Sequence, residues 1–249
     1  MNGDDFDLYN TPRGLKPITS PIKRGILNLL KDSPRTQREV MASIGRAQST
    51  TARHLLELEA ASLVRSSVDP ADSRRKVYHL TGRLAATGGG PTNAFSSYFT
   101  QTVRNGLAND APLMERINHG LRYVTQSWGL SLDSMLREVG HDIGIQMAES
   151  LDSSAELDAV IESLATLWED NKMGLIEKHQ DNPLVLRIDG NYDCTGVPDV
   201  GKPLCALDEG IMEGVLSNSI GGDWKVREFA CHGTGHDHCL FKVEPPGET

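Results

Sequence analysis

Cysteine is absent from the first 193 residues. All four cysteines, Cys194, Cys205, Cys231 and Cys239, fall in the last quarter of a 249-residue chain. In a cytosolic protein such clustering points to metal or redox chemistry sooner than to structural disulfides. No two cysteines have CxxC spacing, which argues against a thioredoxin-like enzyme. Also missing are a P-loop, a GxGxxG after a strand, a GxSxG and an HExxH. The expectation is therefore a protein without catalytic activity. No apolar run approaches the roughly 18 to 20 residues of a membrane span. Met1-Asn2-Gly3-Asp4-Asp5 offers neither a basic n-region nor an apolar h-region. A cytoplasmic protein that does not engage a membrane is expected. There is no internal repeat and no low-complexity tract.

The net charge of −9 is unevenly spread. Residues 1–85 hold 14 Lys/Arg and 9 Asp/Glu, a net of +5. Residues 86–249 hold 11 Lys/Arg and 25 Asp/Glu, a net of −14. A basic segment is drawn to phosphates and an acidic one is repelled, so the two halves have different tasks.

Residues 1–17 are polar, contain Pro12 and Pro17, and read as irregular. Ser20-Pro21 is an N-cap followed by proline at the first helical position. Ile22, Ile26, Leu27, Leu29 and Leu30 then give a helical apolar face, ended by Asp32-Ser33-Pro34. Thr36 and Glu39 form a capping box for a second helix that stops at Gly45. A third helix is expected over 47–61. A strand follows at Leu63-Val64, then a turn at 69–72, and then a returning strand through Val77-Tyr78-His79-Leu80. Gly88-Gly89-Gly90-Pro91 reads as a linker. Helices are expected over 94–107, 111–128, 132–151 and 155–178, a strand over 183–189, and a short helix over 207–216. Two closing strands are expected over 224–230 and 240–243.

Residues 49–64, STTARHLLELEAASLV, follow Gln48 and carry polar Ser49, Thr50 and Arg53 at the helix entry, with leucines behind them. Such side chains reach base edges and phosphates where a helix enters a major groove. Arg74, Arg75 and Lys76 fall where a wing meets the DNA backbone. A basic hairpin on a protein-interaction domain would share these charges. Helix order, short turn and basic wing together favour double-stranded DNA. His54, beside Leu55, reads as a packed or capping residue. The segment resembles the recognition helix and first wing strand of winged-helix regulators of the ArsR type.

The C-terminal stretch reads GIMEGVL over 210–216 and WKVREFACHGTGHDHCLF over 224–241. Alternation puts Trp224, Val226, Glu228 and Ala230 on one strand face, so Glu228 sits on an apolar side. A buried carboxylate needs a cation, a metal or a proton. The strand must bend near Ala230 for Glu228 and Cys231 to share one ion. His232, His236 and His238 read as a solvated turn, and the cysteines alone could be small core residues. This stretch resembles the end of the 4-vinyl-reductase-like sensor domain, a likeness that covers about 111–249. Together with the winged helix it is similar to the redox-responsive regulators of methanogenic archaea. In metal-binding relatives of that domain, zinc is held by a Cys and then Glu-x2-Cys-x7-Cys. The resemblance implies Zn2+ on Cys205, Glu228, Cys231 and Cys239. Cys194 has no counterpart in that pattern. It is the natural partner for a switching disulfide, but the spacing does not say with which of the other cysteines.

The expected fold is mainly α with α+β: a winged-helix DNA-binding domain over 1–87, a linker and dimerisation helix over 88–110, and an α/β 4-vinyl-reductase-like sensor domain over 111–249. The expected function is a homodimeric, redox-responsive transcription regulator. Phe95, Tyr98, Phe99, Val103 and Leu107 are placed for a partner. Two alternatives stand beside it. One is a regulator whose sensor holds a small hydrophobic ligand among the helices of 111–180, with structural zinc. The other is a zinc-binding assembly scaffold.

Overall fold

A computed structural model of the chain describes residues 5–70, 72–90, 93–105, 113–149, 151 and 156–247. The chain divides into two compact units, Met1–Gly90 and Pro91–Thr249.

In the first unit, helix α1 (Pro21–Asp32) begins at Ser20, whose side chain accepts the Lys23 N–H, with Pro21 opening the helix. Ile26, Leu27 and Leu30 form its buried face. Helix α2 (Gln37–Ile44) starts with the Thr36–Glu39 capping box and ends at Gly45, which takes a left-handed φ of 61°. Helix α3 (Gln48–Ala60) follows at once and buries Thr51, His54, Leu55 and Leu58. Strands β3 (Arg35–Thr36), β4 (Val64–Asp69) and β5 (Asp72–Leu80) form an antiparallel sheet in the order β3-β5-β4. Three helices and this wing close over one core with Val40, Leu58 and Leu63.

Residues 6–18 are not irregular. They form a hairpin of β1 (Phe6–Thr11) and β2 (Gly14–Ile18), and β1 pairs on its other side with β6 (Arg83–Gly88). The inner face of β1 carries Asp7, Tyr9 and Thr11, while Phe6 and Leu8 are half-buried. Polar residues inside and apolar ones outside invert the usual period-two signal. Asp7 is matched by Arg24 of α1 at 3.0 Å. Gly88, read as linker, is the last residue of β6, where a Cβ would meet the Phe6 ring at 2.0 Å.

The second unit begins with α4 (Asn93–Asn105), α5 (Leu113–Ser127), a two-residue strand β7 (Leu130–Ser131), α6 (Asp133–Ala148) and α7 (Leu157–Asp170). Pro91, Leu107 and Ala111, which figured in the expected linker and helices, lie outside the described residues. Helix α7 stops eight residues before the expected 178. Lys172 (φ 58°) and Gly174 (φ 127°) turn the chain into a strand. Strands β8 (Leu175–Asp181), β9 (Leu184–Asp189), β10 (Lys225–Ala230) and β11 (His238–Glu244) form an antiparallel sheet in the order β10-β11-β9-β8. Helix α8 (Ala206–Ile220) links β9 to β10 and packs on α6, α7 and β10. The core gathers Leu164 and Trp168 of α7, Met212 and Val215 of α8, and Val226 and Phe241 of the sheet. No helix among the described residues is long and apolar enough to cross a membrane.

Helix α8 is buried all round from Asp208 to Leu216. Its approach to α6 is backbone to backbone. A Cβ on Gly140 would lie 2.2 Å from the Leu207 carbonyl oxygen, and one on Gly210 would lie 2.1 Å from that of Arg137. Gly144 and Gly214 repeat the arrangement one turn on. Only glycine permits such an approach.

Candidate functional site

In the first unit, Gln48, Arg53, Arg74, Arg75 and Lys76 are solvent-exposed, as is Ser49, while Thr50 is half-buried. Gln48 at the start of α3 and Arg74, Arg75 and Lys76 of β5 line one groove of about 550 Å3, together with Gln37 and Arg38 of α2. The groove joins the first turn of α3 to the wing. Arg53 lies one turn further on and pairs loosely with Glu57 at 3.7 Å. Asp72 pairs with Arg74 and with Arg75, each at 3.2 Å, and holds both on the returning strand. His54 is buried, with Nδ1 3.3 Å from Glu57, as its place beside Leu55 suggested. Sequence reasoning missed Gln37 and Arg38. Their position at the start of α2, facing the recognition helix, was the available signal.

In the second unit all four cysteines are buried and free. Cys205 caps the N-terminus of α8. Cys231 ends β10 and opens a 3-10 turn (His232–Thr234), and Cys239 lies in β11. The pairing of β10 with β11 shifts register between Glu228 and Ala230, which supplies the expected bend. Glu228 is buried and Phe229 is turned outward. The return is tight because the backbone of 200–202 bonds to the Gly233 carbonyl, and a Cβ on Gly233 would meet the Lys202 oxygen at 2.5 Å. His232 and His238 are half-buried and His236 is exposed.

Cys194, outside the expected ligand set, stands among the others. Its Sγ lies 3.3 Å from that of Cys239, and the Cys205 and Cys239 sulfurs are 3.9 Å apart. Cys194, Cys205 and Cys231 bring their sulfurs within 4.8 Å of one another, and so do the donor atoms of Cys205, Glu228 and Cys239. Glu228 Oε2 accepts the backbone N–H groups of Leu204 (2.8 Å) and Cys205 (2.9 Å). Its Oε1 has no hydrogen-bond partner among the described residues. A tetrahedral zinc site with Zn–S near 2.3 Å has sulfur–sulfur edges of about 3.8 Å. Four buried sulfurs near that spacing and one orphaned carboxylate oxygen fit a thiophilic dication.

Titration follows the crowding. The neighbouring thiols of Cys205, Cys231 and Cys239 draw the Cys194 pKa down. Burial pushes Cys205 up, and contact with Cys194 pushes Cys231 up to about 12 and raises Cys239 as well. Burial also lifts Glu228, against the N–H of Cys205. The cluster thus favours one thiolate among shared protons, a charge pattern that a dication would replace.

The segment 190–205 that carries Cys194 is held from α5. Arg122 pairs with Asp193 and donates to the Leu204 carbonyl. The Tyr123 hydroxyl donates to the Asp193 carbonyl at 2.7 Å, and His119 Nε2 lies 2.6 Å from that of Tyr192. On α8, Asp208 accepts from Asn191 at 2.7 Å. Glu209 accepts the Glu228 N–H at 2.7 Å and Glu213 accepts the Val226 N–H at 2.9 Å, so the helix supplies acceptors to the edge strand β10. None of these buried charges was anticipated. Phe95, expected at a dimer contact, is instead 2% exposed and stacks on Tyr123 at a centroid distance of 5.7 Å. Tyr98 packs edge-on to the same ring, and the side chains of Phe99 and Val103 lie outside the described residues.

The family model of bacterial regulatory proteins of the arsR family matches residues 20–66, from α1 into β4. The model of the vinyl-4-reductase domain matches residues 184–245, which include all four cysteines and Glu228. Uncharacterised proteins of Methanocaldococcus jannaschii are similar. One is 36% identical over 80 residues, 32% of this chain and 50% of the relative. Another is 28% identical over 140 residues, 55% of this chain and 78% of the relative. The chain thus spans half the length of the first of them. Among solved structures, a vinyl-4-reductase family protein of M. jannaschii is 16% identical at a TM-score of 0.39, covering 63% of this chain and 97% of that one. The S. aureus MepR–DNA complex is 22% identical at a TM-score of 0.24, covering 36% and 71%. The phenol-bound sensory domain of the activator PoxR is 13% identical at a TM-score of 0.37, covering 91% of each chain. The chain carries an arsR-type helix-turn-helix followed by a vinyl-4-reductase domain.

Proposed function

We propose that this chain, an arsR-type helix-turn-helix joined to a vinyl-4-reductase domain, is a transcription regulator whose DNA binding answers to the state of its cysteine cluster. Gln48, Ser49, Thr50 and Arg53 read the major groove, and Arg74, Arg75 and Lys76 hold the phosphates. The exposed groove shared by Gln48 and the three wing cations supports this reading. So does the charge split, +5 over residues 1–90 against −14 beyond.

The observation that carries the sensing role is the convergence of four buried free cysteines. In the reduced protein the cluster holds Zn2+, with Cys205, Cys231 and Cys239 as thiolate ligands. Two groups contend for the fourth position, Glu228 and Cys194. An oxidant such as a peroxide takes two electrons from two thiolates. An S–S bond forms, the O–O bond breaks, and the peroxide oxygens leave as water with protons from solvent. The metal then loses ligands, and with them the folding free energy that its binding supplies. Residues 1–90 contain no cysteine, so the signal originates in the second unit.

The regulator acts as a homodimer, because operators are commonly read as paired half-sites. Ile117, Leu121 and Trp128, along and just beyond α5, are exposed apolar residues suited to a second copy. The test is a mobility-shift assay on the protein's own promoter with and without reductant. Binding that is the same in both conditions removes the redox reading. Absence of binding in both removes the regulator reading.

A further inference from the structure

We infer that Cys194, and not Glu228, completes the metal centre, so that the site is a tetrathiolate and Glu228 serves as the cap of α8. The inference rests on the metal reading above and assigns the position left open there.

Five donors crowd a site that takes four. The geometry divides them. Cys194 lies 3.3 Å from Cys239, and its sulfur groups with those of Cys205 and Cys231 within 4.8 Å. It therefore neighbours each of the other three sulfurs. Glu228 groups with Cys205 and Cys239. The grouping that contains Cys231 is completed by Cys194.

Glu228 already has a task. Its Oε2 takes the N–H groups of Leu204 and Cys205, the two that precede the first turn of α8. Groups at a helix N-terminus have no partner within the helix, and a carboxylate placed there is favoured by the helix dipole. This fixes the backbone from which the Cys205 sulfur projects. Glu228 is thus a positioning residue for a ligand. Its Oε1, which lacks a hydrogen-bond partner among the described residues, is the one atom that argues for direct ligation. Between a thiolate and a carboxylate contending for one position on zinc, the softer sulfur prevails.

Cys194 also differs from the other three in where it comes from. Cys205, Cys231 and Cys239 sit at the ends of α8 and β10 and within β11, whereas Cys194 lies in the segment that Arg122 and Tyr123 of α5 hold. Ligation by Cys194 ties that segment to the metal. Loss of Cys194 to a disulfide frees it.

The experiment uses the full-length reduced protein, purified without chelator and loaded with Zn2+ or Co2+, as wild type, Cys194→Ser and Glu228→Gln. Glutamine keeps an oxygen for the two N–H groups. X-ray absorption at the zinc edge should count four sulfurs in wild type and in Glu228→Gln, and three sulfurs with one lighter atom in Cys194→Ser. Thiolate-to-cobalt charge-transfer absorption should fall by about a quarter in Cys194→Ser and stay unchanged in Glu228→Gln. Three sulfurs and one oxygen in wild type, unchanged by Cys194→Ser, would overturn the inference and leave zinc in place. A reduced wild type that takes up no metal would overturn the metal reading itself, and this inference with it. The wild-type count alone decides the matter should either variant fail to fold.

Discussion

Arg137 of α6 grips Glu213 of α8 with two parallel bonds, Nε to Oε2 at 3.0 Å and Nη2 to Oε1 at 2.8 Å. The same guanidinium reaches Glu209 and the Val226 carbonyl. One cation therefore neutralises two buried carboxylates that in turn hold the edge strand. Breaking a buried pair from one side leaves uncompensated charge and costs about 3 kcal/mol, somewhat less here because Arg137 keeps some exposure. Arg137→Ala should lower the stability of the second unit by about 2–3 kcal/mol. Tryptophan fluorescence in urea reads this unit alone, because Trp128, Trp168 and Trp224 all lie in it. An unchanged transition would show that the network contributes nothing net.

Stability should also depend on pH in an unusual direction. Burial lifts Glu209 from 4.5 to about 7, against the pull of Arg137, and lifts Asp208 from 3.8 to about 7. Between about pH 4 and pH 7 the folded state holds protons that the unfolded chain releases, so unfolding becomes easier as pH rises through that window. The urea midpoint of the fluorescence transition should fall from pH 5 to pH 7.5, and Glu209→Gln should flatten the slope. A midpoint that rises across this range contradicts the assignment.

The glycine crossing gives a test in which propensity and packing oppose each other. Alanine is favoured over glycine within a helix by about 1 kcal/mol. At Gly144 a Cβ would sit 2.2 Å from the Ile211 carbonyl oxygen, so Gly144→Ala should destabilise the second unit by about 1–3 kcal/mol despite its better propensity. At Gly120 of α5 nothing lies within 4 Å of a Cβ, and Gly120→Ala should stabilise by about 0.5–1 kcal/mol. Equal effects at the two positions would mean that the helices do not touch as described.

On the DNA side, Arg53→Ala should weaken binding to the cognate site by about 1–3 kcal/mol if Arg53 reads a base. Arg75→Ala should weaken all sequences alike and reduce the salt slope by about one unit. Titrations at several salt concentrations separate the two. Unchanged affinity in both variants would move the DNA contact away from α3 and the wing.

Where the sequence was legible, short-range chemistry ruled. Ser20-Pro21, the Thr36–Glu39 box and Gly45 set the helix ends of the first unit, and each device is complete within a few residues. The hairpin β1–β2 was hidden because its inner face carries Asp7 and Thr11, whose burial depends on partners such as Arg24. The overrun of α7 was avoidable, since Asn171 and Gly174 stand where a helix ends. At the centre, the bend after Glu228 could be inferred from strand alternation. The place of Cys194 could not, because segment 190–205 is positioned by Arg122 and Tyr123, which lie about 70 residues away in sequence. Apolar periodicity carries no trace of that contact.

Helix α8 begins at Cys205 and touches α6 without intervening side chains. Side chains between two helices act as cushions that absorb small displacements by changing rotamer. Here there are none at the crossing. A displacement of Cys205 along the axis of α8 is therefore delivered to α6 undamped, and the pair behaves as a single stiff rod with a metal ligand at one end.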